Sequence, residues 1–124
     1  MSALHYTEDH EWVRTEADGT ATIGITDHAQ DALGDIVFIE MPAVGTQFAK
    51  GDAACVVESV KAAADVKMPL AGTVVAVNQA LPDDPAKVNT DPMNEGWFLR
   101  IKPDNAADID ALMDDAAYAA LIKS

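Results

Sequence analysis

The amine of Lys61 stands in the setting that most invites chemistry. It lies within Val57-Glu58-Ser59-Val60-Lys61-Ala62-Ala63-Ala64-Asp65-Val66-Lys67-Met68-Pro69-Leu70-Ala71-Gly72. Val57 to Val60 and Asp65 to Met68 have the composition of two strand segments, and the small residues between them mark the tip of a hairpin. The three alanines after Lys61 leave nothing bulky to shield the amine. A modifying enzyme could reach it, acylate it, and leave the product accessible to further proteins. The ordinary alternative is a solvated turn residue, since lysines are mostly exposed. Lys67 offers a second amine, but it precedes Met68-Pro69 inside the outgoing strand rather than at the turn.

Other reactive groups are sparse. Cys55 is the one cysteine, so no internal disulfide and no cysteine metal cluster can form. Its neighbours, Ala53-Ala54-Cys55-Val56-Val57, suit a small buried hydrophobe better than a nucleophile. His5, His10 and His28 are scattered, without paired spacing that suggests zinc. No nucleophile is paired with a base, and no glycine-rich phosphate loop occurs, so an independent enzyme is not expected.

The elements that must position Lys61 fit one domain. The chain has 124 residues, 49% of them hydrophobic, enough for a core. A formal net charge of −13 with eight basic residues argues against nucleic acid and favours partners with basic patches. No apolar run is long enough to cross a bilayer and no leader is evident, so a soluble protein without membrane attachment is expected. The cytoplasm is its expected place in a bacterium, or the mitochondrial matrix for a processed eukaryotic protein.

His5 to Thr15 and Thr20 to Ile25 read as an N-terminal hairpin around Ala17-Asp18-Gly19, with Ala21, Ile23 and Ile25 sharing a face. Thr26-Asp27 offers an N-cap for a short helix through Leu33, and Gly34 stops it. Short strands follow, separated by turns at Pro42-Ala43-Val44-Gly45 and Lys50-Gly51-Asp52. Gly34-Asp35-Ile36-Val37-Phe38-Ile39 is echoed by Gly72-Thr73-Val74-Val75-Ala76-Val77, as expected of two similar β units around one core. Pro82 to Pro92 is expected to be loop with at most one helical turn near Asp84-Lys87. Trp97-Phe98-Leu99-Arg100-Ile101 returns as a final strand. Asp104 to Lys123 carries Ile109, Leu112, Met113, Ala116, Ala117, Ala120 and Leu121 at helical spacing, as one helix or two parted near Asp114-Asp115. The expected fold class is mainly β, a flattened barrel or sandwich with a short N-terminal helix and a C-terminal helical segment. A single domain over 1–124 has its core at about 20–102 and its helical tail at about 104–123.

The segment around Lys61 resembles the lipoylation site of the glycine cleavage system H proteins. The likeness extends through His10-Glu11-Trp12-Val13, Ala21-Thr22-Ile23-Gly24-Ile25-Thr26-Asp27, Leu33-Gly34-Asp35-Ile36-Val37, Glu58-Ser59-Val60-Lys61 and Glu95-Gly96-Trp97, in that order. Lys67-Met68 has a superficial similarity to the modified segment of biotin carriers, but the resemblance puts the tip at Lys61.

The resemblance implies a biotinyl/lipoyl-type fold, with lipoic acid joined to Lys61 by an amide and put there by a lipoate-attaching enzyme. It implies a carrier rather than a catalyst. The arm would take an aminomethyl intermediate from a pyridoxal-phosphate glycine decarboxylase to a tetrahydrofolate-dependent aminomethyltransferase. A dihydrolipoamide dehydrogenase would then reoxidise it. Glu11 and Asp65 match positions associated with docking of the arm, whereas Ala32 stands where some relatives have a histidine. A lipoate relay to other carriers, or a carrier for 2-oxoacid dehydrogenases, would keep the fold and change the role.

Overall fold

The computed structural model describes residues 4–123. Three strands come first: β1 (Leu4–Tyr6), β2 (Glu11–Thr15) and β3 (Ala21–Ile25). β2 and β3 form the expected hairpin, in register from Glu11 opposite Ile25 to Thr15 opposite Ala21. The expectation that one face of β3 is buried was too narrow, because Thr22 and Gly24 are buried as well. Gly24 lies under Trp12, where an added Cβ would stand 2.6 Å from the indole Cζ2. The indole is fully buried and donates through Nε1 to the Pro92 carbonyl at 2.9 Å. Thr22 donates to the Glu16 carboxylate at 2.7 Å and accepts from Arg100 Nε at 3.2 Å. A polar side chain is thus buried without losing its hydrogen bonds.

Helix α1 (Asp27–Leu33) has the ends its sequence dictates. Thr26 Oγ1 accepts from Ala29 N at 3.2 Å, which satisfies a first-turn donor. Gly34 follows at φ 80°, a conformation that costs a glycine little.

The remaining strands are β4 (Ile36–Glu40), β5 (Gln47–Phe48), β6 (Ala53–Ser59), β7 (Ala63–Lys67), β8 (Gly72–Val77) and β9 (Leu99–Pro103). They complete a six-stranded sheet of order β1-β2-β3-β9-β8-β5 and a three-stranded sheet of order β4-β6-β7. Every pairing is antiparallel. Ile23, Val74 and Leu99 of the larger sheet join Ile39, Val57 and Val66 of the smaller in one buried cluster. Each such side chain contributes ~1.5–3 kcal/mol by leaving water. The result is the sandwich expected of many short strands.

The two halves of the glycine-led echo fall in different sheets, as β4 and β8. Their third positions, Ile36 and Val74, are buried, while their fourth, Val37 and Val75, are both exposed. The segment 82–92 differs from its expectation. It contains one helical turn, α3 (Lys87–Thr90), and the end of another that starts before it, α2 (Ala80–Asp83), neither centred on Asp84-Lys87. Leu81 and Val88 are fully buried and draw each turn onto the core. Asn78 holds the segment by accepting from Ala80 N and donating to the carbonyls of Glu95 and Trp97. The final strand starts at Leu99, although Phe98 already donates its N–H to the Ile23 carbonyl at 2.8 Å.

The tail forms α4 (Ala107–Asp110) and α5 (Asp115–Lys123). Tyr118 holds α5 to β1, its ring stacked on Tyr6 at 4.5 Å. Tyr6 and Met113 also exchange backbone hydrogen bonds at 2.8 and 3.0 Å. Of the residues at helical spacing, Ala116, Ala117, Ala120 and Leu121 are exposed, and the buried anchor of α5 is Tyr118.

Candidate functional site

β6 and β7 form the hairpin that carries Lys61, in register from Glu58 opposite Ala63 to Cys55 opposite Val66, with a bulge before Ala53 opposite Lys67. Inward Val57 and Val66 pin its body to the core. At the tip, Ser59 N donates to the Ala62 carbonyl at 2.8 Å. Ser59 Oγ donates to the same carbonyl and accepts from the N–H groups of Lys61 and Ala62 at 3.2 and 3.1 Å. A serine hydroxyl therefore closes the turn.

A second set of contacts sets the direction of the tip. Val60 N donates to the Asp35 carbonyl at 3.0 Å, tying the turn to the junction of α1 and β4. The Lys61 stem runs along Gly34, where an added Cβ would stand 3.3 Å from Lys61 Cε. Asn89 of α3 fastens that junction from behind. Its Oδ1 accepts from Ile36 N, and its Nδ2 donates to the Gly34 carbonyl and to Gln30 Oε1, all at 2.9 Å. Lys61 is exposed, and its ammonium pairs with no carboxylate among the described residues.

Glu11 lies elsewhere. It is buried on β2, with Oε1 accepting from Thr7 Oγ1 at 2.9 Å and Oε2 from Lys67 N at 3.0 Å. Burial pushes its carboxyl up to about 6, against the pull of those two hydrogen bonds. A cleft of about 310 Å³ opens here, lined among others by Thr7, Glu11, Lys67, Met68, Leu112 and Met113. Glu11 meets the base of the β6–β7 hairpin and Lys61 its tip, ~20 Å apart along an extended strand of six steps. Asp65 is on β7 between them, exposed and opposite Val56. Asp65 makes no hydrogen bond or ion pair to Lys61 or Glu11 among the described residues. The three candidate residues thus share one hairpin as their reference but do not touch.

Lys67 lies along β7, and its amide N–H serves Glu11. Cys55 is buried within 3.9 Å of Met41 Sδ, and desolvation pushes its thiol up to about 12. It is therefore unreactive near neutrality. His10 Nδ1 is 2.8 Å from the Tyr118 hydroxyl, which lies 2.7 Å from Thr26 Oγ1. Burial, and then the neighbouring His28, lower its pKa.

The family model for the glycine cleavage H-protein matches residues 4–124. The chain belongs to the glycine cleavage H-protein family. It is 60% identical to the glycine cleavage system H protein of Psychrobacter sp. strain PRwf-1, over 96% of this chain and 94% of that one. It is 60% identical to that of Chromobacterium violaceum, over 94% of this chain and 91% of the relative. A crystal structure of the H protein from Mycobacterium marinum superposes with a TM-score of 0.89 at 36% identity, covering 98% of each chain. This H-protein family is a family of lipoyl carriers, components of the glycine cleavage system, and the mainly β sandwich of this chain is its fold.

Sequence reasoning singled out Lys61 and missed its supports. Ser59 carried a signal, a turn-forming hydroxyl two residues before the lysine. Asp35 acts through its carbonyl, which any residue has, and Asn89 acts from 53 to 59 residues away, so neither left a local trace.

Proposed function

We propose that Lys61 carries lipoic acid in amide linkage and that this chain, one carrier unit over residues 1–124, shuttles intermediates among the enzymes of glycine cleavage. The supporting observation is an exposed lysine at a braced hairpin tip in a chain of the H-protein family. The residues present suit the group. The turn's hydrogen bonds belong to the backbone and Ser59, so acylating Nζ breaks none of them. Ala62, Ala63 and Ala64 leave room beside it.

When bound, the lipoyl group supplies a cyclic disulfide that opens to two thiols, can carry a one-carbon amine on sulfur and can be reoxidised. The chain's own residues hold and shield. Ser59, Asp35 and Gly34 aim the lysine stem. Glu11, desolvated at the floor of its cleft, is the proposed partner for an amine entering there, because a cation beside it would draw the carboxyl back toward its ionised form. Asp65 offers a second carboxylate along the path from the tip.

The proposed partners are a pyridoxal-phosphate glycine decarboxylase, a tetrahydrofolate-dependent aminomethyltransferase, a dihydrolipoamide dehydrogenase and the enzyme that attaches lipoate. Bacterial relatives support a cytoplasmic setting.

Intact mass before and after treatment with a lipoate-protein ligase, lipoate and ATP tests the reading. One lipoyl increment is expected, mapped to the peptide with Lys61, absent from Lys61→Arg and retained in Lys67→Arg. An increment at Lys67, or none with an active ligase, overturns it. So does undiminished glycine cleavage by Lys61→Arg in the reconstituted system.

A further inference from the structure

The outer face of the three-stranded sheet is arranged in rows beneath Lys61. Cross-strand partners in antiparallel sheets point to the same side. Phe38, Glu58 and Ala63 therefore form the row nearest the tip, and Glu40, Val56 and Asp65 the next. All face outward, and Phe38 is 48% exposed.

The top corner of this face is unusually apolar. A bulge between Ile36 and Phe38 interrupts the alternation of β4, so Val37 and Phe38 are both exposed. Val60, at 67% exposure, stands beside Lys61 and is tied to the same corner through its bond to the Asp35 carbonyl. Three of the seven large exposed hydrophobics of the described chain thus belong to one rigid corner. β4 is also an edge strand, where exposed apolar residues are a liability unless a partner covers them. The carboxylates nearest the corner are Asp35, Glu40, Glu58 and Asp65, all exposed, while Lys67 is exposed two residues further along β7 than Asp65.

We propose that the Val37-Phe38-Val60 corner, with its acidic flank on the outer sheet face, is the docking surface for the enzyme that acylates Lys61. Its partner surface is an apolar socket rimmed by lysine and arginine. This rests on the reading of Lys61 as the acylated residue. Acylation requires deprotonated Nζ to attack the activated carboxyl carbon of the acyl group. The amide bond forms, the activating group leaves with its electron pair, and the ammonium proton passes to a base or to water. Of all the partners, only the acylating enzyme must bring its reacting atoms to Nζ itself, and it therefore covers the residues flanking the tip. Enzymes that meet the far end of a long arm need not approach this corner. The acidic flank supplies complementary charge, and the Phe38 ring is the apolar anchor.

Acylation rates at increasing concentrations of unmodified protein, with a lipoate-protein ligase, lipoate and ATP, test the assignment. Phe38→Thr keeps a residue suited to a strand. It should raise KM at least about tenfold, with kcat within about twofold, as for loss of an interface anchor. Asp65→Lys should lower kcat/KM about tenfold at low salt, with the deficit shrinking as salt rises. Val75→Thr, an exposed valine on the other sheet, should leave both constants unchanged. If Phe38→Thr lowers the melting temperature, Asp65→Lys decides. A wild-type KM in a stable Phe38→Thr, or a salt-independent wild-type kcat/KM in Asp65→Lys, overturns the proposal. So does a defect confined to glycine decarboxylation by previously lipoylated variants. Failure of the wild-type protein to be acylated at all would instead refute the reading of Lys61.

Discussion

Glu11 makes the stability of this protein depend on pH in an unusual direction for a carboxylate. Its folded-state pKa is about 6 against an ordinary 4.5, so the native state holds the proton more tightly than the unfolded chain. The contribution is therefore greatest below about 4.5, declines as pH rises through about 6, and is level above about 7. A rise of roughly 1.5 units, at 1.36 kcal/mol each, corresponds to about 2 kcal/mol lost across that window. Glu11→Gln removes the titration while leaving an amide oxygen to accept from Lys67 N. The assay is urea unfolding of both proteins from pH 4.5 to 8 at fixed ionic strength. The stability difference, variant minus wild type, should rise by about 2 kcal/mol between the ends of the window. A flat difference, or one that falls as pH rises, would refute the placement of Glu11 as a desolvated carboxylate.

Two further substitutions test the scaffold. Gly24→Ala drives a methyl into the Trp12 indole, whose nearest atom would be 2.6 Å away; it should cost about 3 kcal/mol in chemical unfolding, as overpacking does. Asn89→Ala removes three hydrogen bonds behind the lysine hairpin, costing about 2 kcal/mol. It should also speed hydrogen exchange at the Val60 amide, which bonds to the Asp35 carbonyl of the braced junction, more than at Val57.

The parts legible in the sequence were those whose signals are local. Thr26 and Gly34 bound α1 because capping chemistry is confined to one turn. The lysine hairpin announced itself through small residues between strand segments. The segment from Ala80 to Thr90 did not, because its two turns have weak propensity and exist through burial of Leu81 and Val88 and the clasp of Asn78. Burial of Gly24 was hidden for a related reason: an indole on the adjacent strand covers it, and alternation along β3 cannot register that. Glu11 was picked out by its block, but its desolvation depends on Thr7, the Lys67 amide and a cleft partly walled by Leu112 and Met113, residues far apart in the chain.

The hydroxyl of Ser59 settles the amide donors of Lys61 and Ala62 within the loop itself. The geometry of the bend is consequently independent of the charge at the end of the side chain it displays. A mount built this way would keep its shape whether or not Nζ is acylated, because none of the hydrogen bonds that define the bend involves that atom.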